Sequence, residues 1–385
     1  MKVKLGEVSV LINGDRGKNY PSQADILSDG DIPFVNAGHL DGRSIRLDEM
    51  SYITFEKYNQ LSSGKFRKGD ILYCLRGSLG KKAVVQEIVE GAIASSLVII
   101  RPDSQIIDVN YLMLALDSPC IQNQLLKANN GSSQPNLSAA SVRAYEIDLP
   151  NKKVQEEIVN KFDKIQRVID ARKQQLQKLD ELVKSRFVEM FGAIQEMVPL
   201  SYYIRGLSAG KSLAGEDECV NKVLKTGATT YDYFDSAQVK NLPLDYIPQE
   251  EHRVKTGDVI ISRMNTAELV GAAAYVWEAP DHTYLPDRLW KAEVRDTACP
   301  IFVWQLLIQK DTKESIRRIA SGTSGSMKNI SKPGLLGIRV IKAEVATQNR
   351  FAAFVAEVDK SKLAVQQSLE KLETLKKSLM QQYFG

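Results

Sequence analysis

The sequence has few of the residues that form disulfides, metal sites or membrane spans. It holds four cysteines and three histidines among 385 residues, and none of the cysteines lies in a Cys-x-x-Cys motif. This scarcity argues against a disulfide framework and against a zinc site. No apolar run approaches the roughly 20 residues of a membrane-spanning helix, and the first residues lack a signal-peptide pattern. We therefore expect a cytoplasmic protein that does not contact a membrane.

Recognisable catalytic patterns are also missing or incomplete. The segment GLSAGKS at 206–212 has three residues between its two glycines, whereas a phosphate-binding P-loop has four. Pro286-Asp287, followed by Asp311 and Lys313, resembles a nuclease metal site only loosely. None of the histidines lies beside a serine or cysteine that could act as a nucleophile. These gaps predict a chain with no enzymatic activity and no metal or cofactor of its own.

What the sequence does contain is an internal duplication. FRKGDILYCLRGSLGKKAVV at 66–85 resembles RVKTGDVIISRMNTAELVGAAAYV at 253–276, and PFVNAG at 33–38 takes the place of KVLKTG at 222–227. An offset of 193 residues relates three further pairs, which are Asn136 and Asn329, Ser138 and Ser331, and Gln155 and Gln348. Self-similarity of this kind indicates two copies of one structural unit.

Each copy has a globular part followed by a long segment without proline or glycine. Short apolar runs alternate with turn residues in the globular parts, which predicts strands with a few helices. Gly69-Asp70 and Gly257-Asp258 each precede a strand, where a turn with positive φ is expected. We predict an α+β fold with two globular mixed α/β domains in pseudo-twofold repeat, separated by a long antiparallel two-helix coiled coil. The predicted boundaries are 1–150 and 193–343 for the domains and 151–192 and 344–385 for the helices.

The two helical segments share a heptad pattern, in which apolar residues recur at alternating steps of four and three. The predicted seam residues are Ile158, Phe162, Ile165, Ile169, Leu176, Leu179, Val183, Phe351, Val355, Val358, Val365, Leu369, Leu372 and Leu379. Arginines interrupt the first seam at 172 and 186, and lysines interrupt the second at 362 and 376. Because these interruptions do not coincide, the pattern favours pairing of the two helices with each other. The alternative is that each helix is solvated and lies on its own domain.

Loops at matched places in the two copies carry side chains of the types that bind DNA. Arginine, asparagine and glutamine read base edges, while lysine and hydroxyl groups hold phosphates. The net charge is only +4, so a DNA surface must be a local patch. The candidate DNA-binding residues are Lys18, Asn19, Tyr20, Asn36, Arg76, Ser78, Lys81, Lys82, Ser132, Ser133, Gln134, Lys211, Ser212, Thr229, Arg263, Asn265, Thr323, Ser324 and Lys328. Arg76 and Arg263 are the strongest candidates, because each follows its Gly-Asp strand at nearly the same place.

The order of these segments resembles the specificity subunits of Type I restriction–modification enzymes over essentially the whole chain. The resemblance is carried by KGDILYCLRGSLGKKAVV, SSLVIIRP, YLMLAL, NNGSSQPNLS and YEIDLPNKKVQEEIVNKFD, each with a counterpart in the second copy. One departure is IRVIKAEVATQNR in the second copy, which lacks the proline that precedes the first helix. The resemblance implies two target recognition domains, each of which reads one half of a bipartite site in double-stranded DNA.

The same resemblance implies that the coiled coil fixes the gap and docks two methyltransferase (modification) subunits, with restriction subunits in the full enzyme. S-adenosylmethionine, ATP and Mg²⁺ would then be bound by the partner subunits and none by this chain. Two other hypotheses stay open at this point. The duplicated lobes could be a protein-binding scaffold without DNA specificity, or Asp287, Asp311 and Lys313 could form a metal-dependent nuclease site.

Overall fold

The computed structural model describes residues 1–88, 90–129, 135–322 and 327–385, which form two compact units. The first unit comprises Met1–Lys173 and Gln367–Gly385, and the second comprises Gln174–Gln366. The two units therefore do not coincide with the two sequence repeats. Each unit combines the globular part of one repeat with the first half of its own long helix and the second half of the other long helix.

The first unit contains two four-stranded sheets, with orders β2-β11-β8-β9 and β6-β3-β10-β7. Its strands are β1 (Lys2–Lys4), β2 (Ser9–Asn13), β3 (Ile32–Val35), β4 (Leu40–Asp41), β5 (Ser44–Ile45), β6 (Tyr52–Ile53), β7 (Lys65–Arg67), β8 (Ile71–Cys74), β9 (Lys82–Val84), β10 (Glu90–Ile93), β11 (Leu97–Pro102) and β12 (Glu146–Asp148). Its helices are α1 (Leu5–Val8), α2 (Phe55–Gln60), α3 (Val109–Asp117), α4 (Pro119–Ala128), α5 (Ala139–Arg143) and part of α6 (Lys152–Phe191), with a 3-10 turn at Gln23–Asp25.

The second unit repeats the first sheet in the order β14-β21-β17-β19, and its other main sheet, β16-β15-β20, has three strands. Its strands are β13 (Met197–Pro199), β14 (Ile204–Ser208), β15 (Lys222–Leu224), β16 (Val239–Asn241), β17 (Val259–Ser262), β18 (Met264–Asn265), β19 (Ala273–Tyr275), β20 (Thr283–Tyr284), β21 (Leu289–Val294), β22 (Lys328–Asn329) and β23 (Arg339–Ile341). Its helices are α7 (Pro300–Leu307), α8 (Lys310–Ile319), α9 (Lys332–Leu336) and part of α10 (Val345–Phe384), with 3-10 turns at Leu200–Tyr202, Thr226–Thr229 and Glu250–His252. The predicted mixed α/β fold with two long helices is confirmed.

The Gly-Asp turn is built in the same way in both units. Gly69 and Gly257 have φ values of 89° and 94°, a region that glycine enters without a steric cost. A carboxylate oxygen of Asp70 accepts a bond of 2.9 Å from the Arg67 amide, and Asp258 accepts the equivalent bond of 2.8 Å. Burial raises the pKa of Asp258, although bonds to its carboxylate oppose that shift. The predicted turns with positive φ are confirmed.

The long helices pair in an antiparallel manner within each unit. In the first unit, Lys161 donates a 2.8 Å hydrogen bond to Tyr383, and Lys376 donates one of 2.7 Å to Gln166. Residue numbers therefore rise along α6 as they fall along α10. The second unit repeats this direction, because Asp180 pairs with Lys362 and the ring of Phe187 lies 5.5 Å from that of Phe351. The alternative of separate solvated helices is wrong.

The predicted seam lies at this helix pair. Eight of its residues are buried, namely Ile158, Phe162, Ile169, Val183, Phe351, Val355, Val358 and Val365, and the other six are half-buried, namely Ile165, Leu176, Leu179, Leu369, Leu372 and Leu379. Lys362 and Lys376, which interrupt the pattern, reach polar groups on α6. Burial, with the positive charge of Arg43 nearby, lowers the pKa of Lys376.

Each long helix ends inside the core of the unit that holds the start of the other. The Phe384 ring lies 5.3 Å from Tyr111 and 6.3 Å from Phe162 in the first unit. The Phe191 ring lies 5.0 Å from Phe302 and packs within the second unit. Aromatic pairs at such distances stabilise the fold by more than their buried area alone would. The last turn of each helix therefore completes the core of a unit whose strands come from the other repeat.

A buried glutamine joins the start of each long helix to its globular part. The side-chain oxygen of Gln155 accepts a 2.8 Å hydrogen bond from the backbone of Asp108, which caps α3. Gln348 accepts a 2.9 Å bond from the backbone of Cys299, which precedes α7. In both cases the amide nitrogen donates to a carbonyl just before the long helix. The 193-residue repeat of these glutamines thus marks one structural joint that occurs twice.

Within the described ranges, no three or more His, Cys, Asp and Glu side chains come together as a metal site would require. No helix in those ranges combines the length and the apolar character needed to cross a membrane.

Candidate nucleic-acid interface

In the first unit, the turn between β8 and β9 meets the segment that precedes α5. The Leu137 amide donates a 2.8 Å bond to the Leu75 carbonyl, and Arg76 and Asn136 face each other in an antiparallel bridge. Arg76 is exposed at this meeting point. Ser138 then caps α5 by accepting a bond from the backbone three residues later. Arg76 is therefore exposed on a backbone that is held in place by hydrogen bonding between the two segments.

In the second unit, the equivalent segments form a short ribbon of β18 and β22. Asn265 lies opposite Lys328, so two of the candidate residues are cross-strand neighbours. Arg263 precedes the ribbon, and its Nε donates a 3.3 Å hydrogen bond to the side-chain oxygen of Asn329. The Arg263 guanidinium also lies 5.8 Å from the centroid of the Trp290 ring. A half-buried arginine that is fixed in this way presents its remaining donors in a defined direction.

The two strongest candidates do not occupy equivalent positions. The Leu75 carbonyl accepts a bond from the Leu137 amide, and the Arg263 carbonyl accepts the matching bond from Ile330. Arg263 therefore corresponds to Leu75, and Arg76 comes one residue later in the shared framework. The prediction that the two arginines lie at nearly the same place therefore holds to within one residue, and their contact with DNA stays a prediction.

Two candidates are buried, and the expectation that they contact DNA is wrong for this reason. Lys82 is 5% exposed, and its Nζ lies 2.5 Å from a carboxylate oxygen of Asp117. Thr229 is fully buried in a 3-10 turn beside β17. A buried lysine that is paired with Asp117 and a threonine in the core are not available to a phosphate. The residues next to Lys82 in the turn, Ser78 and Lys81, are exposed and half-buried.

Several other candidates hold their own loops in shape. The Tyr20 hydroxyl accepts a 3.3 Å bond from the Ser95 amide, and its ring packs edge-on against a phenylalanine. The side-chain oxygen of Asn36 accepts a 2.8 Å bond from the Gly38 amide. Lys18 is exposed and Asn19 is half-buried in the loop that leads to Tyr20. These positions form a second group in the first unit, whose role in DNA contact stays a prediction.

The hypothetical nuclease residues are engaged elsewhere in the second unit. Asp287 is hydrogen-bonded to Ser212, a candidate DNA-binding residue, and Lys211 beside it is exposed. Lys313 instead pairs with Asp232, with its Nζ 2.6 Å from one carboxylate oxygen. The lysine of the proposed triad is therefore neutralised by a residue outside it.

The remaining candidates, Ser132, Ser133, Gln134, Thr323 and Ser324, lie outside the described residues. The sequence pattern also did not single out Asn329 and Trp290 as site residues, although they orient Arg263. The repeat of Asn136 at Asn329 was a usable signal, because it placed an asparagine in the same loop of both copies. No local pattern identifies Trp290, which reaches Arg263 from the adjacent strand β21.

Comparison with known proteins finds similarity to one family of DNA specificity proteins. Residues 1–181 match the family model described as the Type I restriction modification DNA specificity domain. The EcoKI specificity subunit of Escherichia coli strain K12 is 20% identical over 416 residues, which cover 99% of this chain and 88% of that protein. The EcoBI specificity subunit of Escherichia coli is 25% identical over 187 residues, which cover 47% of this chain and 39% of that protein.

Two solved structures share the fold over the full length of the chain. The S subunit of a Type I restriction–modification system from M. genitalium has a TM-score of 0.61 at 15% identity, and 96% of it is covered. A second structure, described as the structural basis underlying complex assembly and conformational transition of the type I R-M system, has a TM-score of 0.63 at 16% identity, with 97% covered. At these identities the likeness shows that the fold is shared.

Proposed function

We propose that the chain is a specificity subunit of a Type I restriction–modification enzyme, a non-catalytic component that reads a two-part DNA target. The proposal is supported by the family model that matches residues 1–181 and by the similarity to the EcoKI specificity subunit. One half is read by the target recognition domain at 1–150 and the other half by the domain at 193–343. The helices at 151–192 and 344–385 act as spacers between the two target recognition domains.

The observation that carries this proposal is a shared framework with unlike loops. Matching backbone bonds to Leu75 and Arg263 anchor the start of one loop in each unit, and glycines with positive φ close it at Gly80 and Gly271. The loop runs over six residues in the first unit and nine in the second, and its side chains differ. A framework that is kept while the exposed residues change is the pattern expected for two readers of different sequences.

We further propose that the spacer helices set the length of the unread gap. Each helix has forty residues, which corresponds to about 60 Å. Inserting one heptad into both helices should lengthen the spacer by about 10.5 Å, or about three base pairs of duplex rise. Methylation assays on targets with varied gaps test this, and an unchanged preferred gap would refute it.

The proposed partners are two methyltransferase (modification) subunits that dock on this chain, together with restriction subunits. Those partners would bind S-adenosylmethionine, ATP and Mg²⁺, and the present chain would bind DNA. Support comes from the family, since one structural relative is described in terms of complex assembly of a type I R-M system. The balanced charge of this chain also suits an assembly in which several subunits share the DNA contact.

Co-expression with candidate methyltransferase subunits, followed by sequencing of methylated adenines, tests the proposal most directly. We expect one motif with two specified halves and a fixed gap. The matched control is a chain in which residues 1–150 are replaced by the recognition domain of another family member. That exchange should alter one half of the motif only. Absence of methylation, together with absence of DNA from the purified assembly, would favour the protein-scaffold hypothesis instead.

A further inference from the structure

The second unit displays two tyrosine rings in a region with no assigned role. Tyr231 is 74% exposed and Tyr233 is 54% exposed. Their ring centroids lie 6.3 Å apart, and the ring planes differ by 15°. Two large, nearly parallel rings left in water form an apolar ledge of the kind that marks a binding surface.

The ledge is held rigidly by the residue between the two rings. Asp232 has a φ of 64°, which is strained for a residue other than glycine. Its side chain accepts a 3.1 Å bond from the Ala273 amide and pairs with Lys313, while its carbonyl accepts a 3.1 Å bond from the indole of Trp304. Strain of this kind persists where the surroundings over-determine it, which is common at binding sites. The backbone that carries the two rings is therefore held in place before any partner arrives, which lowers the entropy cost of binding.

The same contacts connect the ledge to the candidate DNA-binding ribbon. Ala273 begins β19, and the loop just before it returns to Ser262, the residue that precedes Arg263. Helix α8 provides a second connection, because Lys313 pairs with Asp232 and Arg317 donates a 3.1 Å bond to the carbonyl of Glu268 in the loop after Arg263. The ledge and the ribbon are thus linked by hydrogen bonds through the same sheet end and the same helix.

Helix α8 also supplies positive charge beside the ledge. Its exposed residues include Lys310, Arg317 and Arg318, of which Arg318 is paired with Glu314 on the same helix. The equivalent helix of the first unit, α4, has one basic residue, Lys127. Cations next to aromatic rings suit a polyanion with planar bases better than they suit an apolar protein face.

The first unit has nothing comparable at the matching position. The pairing of 33–38 with 222–227 aligns Tyr231-Asp232-Tyr233 with Gly42-Arg43-Ser44. Arg43 lies beside β9 as Asp232 lies beside β19, since its carbonyl accepts a 3.0 Å bond from the Val84 amide. The framework is therefore shared, and the two rings are an addition in the second unit alone.

We propose that Tyr231 and Tyr233 contact the duplex in the half-site that the second unit reads, with their rings against bases and deoxyriboses. This inference rests on the proposed function and extends the site beyond the residues near Arg263. Apolar side chains gain specificity at thymine methyl groups, and tyrosine hydroxyls also reach phosphates.

The test compares the full-length chain with a Tyr231→Ala/Tyr233→Ala double variant, each co-expressed with the methyltransferase subunits. Methylated-adenine sequencing gives the motif, and the duplex recovered with the parental chain is the binding probe. We expect the double variant to bind that probe about tenfold more weakly and to lose stringency in one half of the motif. A Tyr231→Phe/Tyr233→Phe variant should keep the motif, because it keeps both rings. Phe55→Ala, which removes an exposed ring of the first unit, should leave that half unchanged.

The outcomes separate this inference from the proposed function. If the parental chain gives a two-part motif and the double alanine variant gives the same motif with the same affinity, the tyrosine ledge is not a DNA contact. If the double variant fails to assemble with the methyltransferase subunits on size-exclusion chromatography, the ledge binds protein and the inference is overturned. If the parental chain yields no motif, the proposed function falls and this inference with it.

Discussion

Each unit pairs a lysine with an aspartate at the start of the matching strand, but the paired residues come from different elements in the two units. At the start of β9, Lys82 comes from the strand and pairs with Asp117 at the end of α3. At the start of β19, the lysine is Lys313 from helix α8, and its carboxylate partner is Asp232 from a loop. In both units the aspartate neutralises a lysine that is mostly buried. Exposed aromatic rings lie next to the aspartate in the second unit only. The comparison shows that the framework conserves where loops are anchored, while the anchoring residues are free to change.

The joints between globular parts and long helices show the reverse behaviour. Gln155 and Gln348 are both buried and make the same pattern of bonds. Phe384 and Phe191 end their helices in the same kind of aromatic cluster. A joint that determines helix position tolerates less variation than a loop, because every residue beyond it moves when it moves.

The largest effect is expected from removing a helix-end ring. Phe384→Ala should destabilise the first unit by about 3–5 kcal/mol, because a buried aromatic side chain leaves a cavity between Tyr111 and Phe162. Hydrogen exchange should show lost protection in α3 and little change in α7. Phe191→Ala should give the mirror result, with α7 affected.

Gln382→Ala, on the exposed side of the same turn as Phe384, is the matched control and should be nearly neutral. Equal loss of protection in α3 and α7 with Phe384→Ala would contradict the view that each helix end serves one unit.

A smaller effect is expected at the glutamine joints. Gln155→Ala leaves buried backbone groups of the first unit without partners and should cost about 1–3 kcal/mol. Gln348→Ala should cost a similar amount in the second unit. Urea unfolding of both variants measures the losses, and Gln367→Ala on the exposed part of α10 gives the baseline. A cost in one unit only would show that the two joints are not equivalent.

The two arginines should differ in how they affect DNA recognition. Arg263→Ala should weaken binding by about 1–3 kcal/mol and relax selectivity at one base pair, because Asn329 and Trp290 aim its guanidinium. Asn329→Ala should reproduce part of that loss. Arg76→Ala is expected to weaken binding as well, in the other half of the motif.

Salt titration decides what kind of contact each arginine makes. Uniform weakening on every sequence, with a shallower dependence on salt, would identify a phosphate contact and reject base readout at that position. Measuring both variants on the same target also tests whether the one-residue shift between the arginines has a functional consequence.

The smallest effect is expected at the lysines of the helix seam. The pKa of Lys376 is lowered by burial, so its charged form is disfavoured in the folded state at neutral pH. Lys376→Met should therefore raise stability slightly, by less than about 1 kcal/mol, since its partner Gln166 is uncharged. Lys362→Met, which breaks an ion pair with Asp180, should give no gain.

The pH dependence follows from the sign of that shift. A lysine whose folded pKa is lowered costs most stability below its folded pKa, and the cost disappears as the pH rises towards the unfolded value. The advantage of Lys376→Met over the parental chain should therefore be constant near neutral pH and shrink as the pH approaches 10.5. An advantage that grows with pH would contradict a desolvated ammonium group at this position.

Much of the fold was predictable because it depends on neighbours in the chain. The heptad spacing predicted both long helices and the residues between them, and the seam residues from Ile158 to Leu379 are buried or half-buried. The Gly-Asp pairs predicted the turns at Gly69 and Gly257, since only glycine takes positive φ without strain. The repeat of Gln155 at Gln348 marked a joint whose bonds the structure supplies.

The candidate interface was less predictable, because exposure depends on residues far away in the chain. Lys82 and Thr229 had suitable side chains, but Asp117 and the packing under β17 bury them. The ribbon that orients Arg263 brings together 263–265, 290 and 328–329. The tyrosine ledge needs Ala273, Trp304 and Lys313 around Asp232.

Periodicity and backbone torsion are properties of consecutive residues, and so duplication, helix length, seam and turns were already encoded in the order of the amino acids. The burial of Lys82 beside Asp117 and the position of Arg263 over the Trp290 ring were settled only when distant segments packed. Burial changes the free energy of a charged or polar group by more than its local propensity does, and burial is a property of the folded chain.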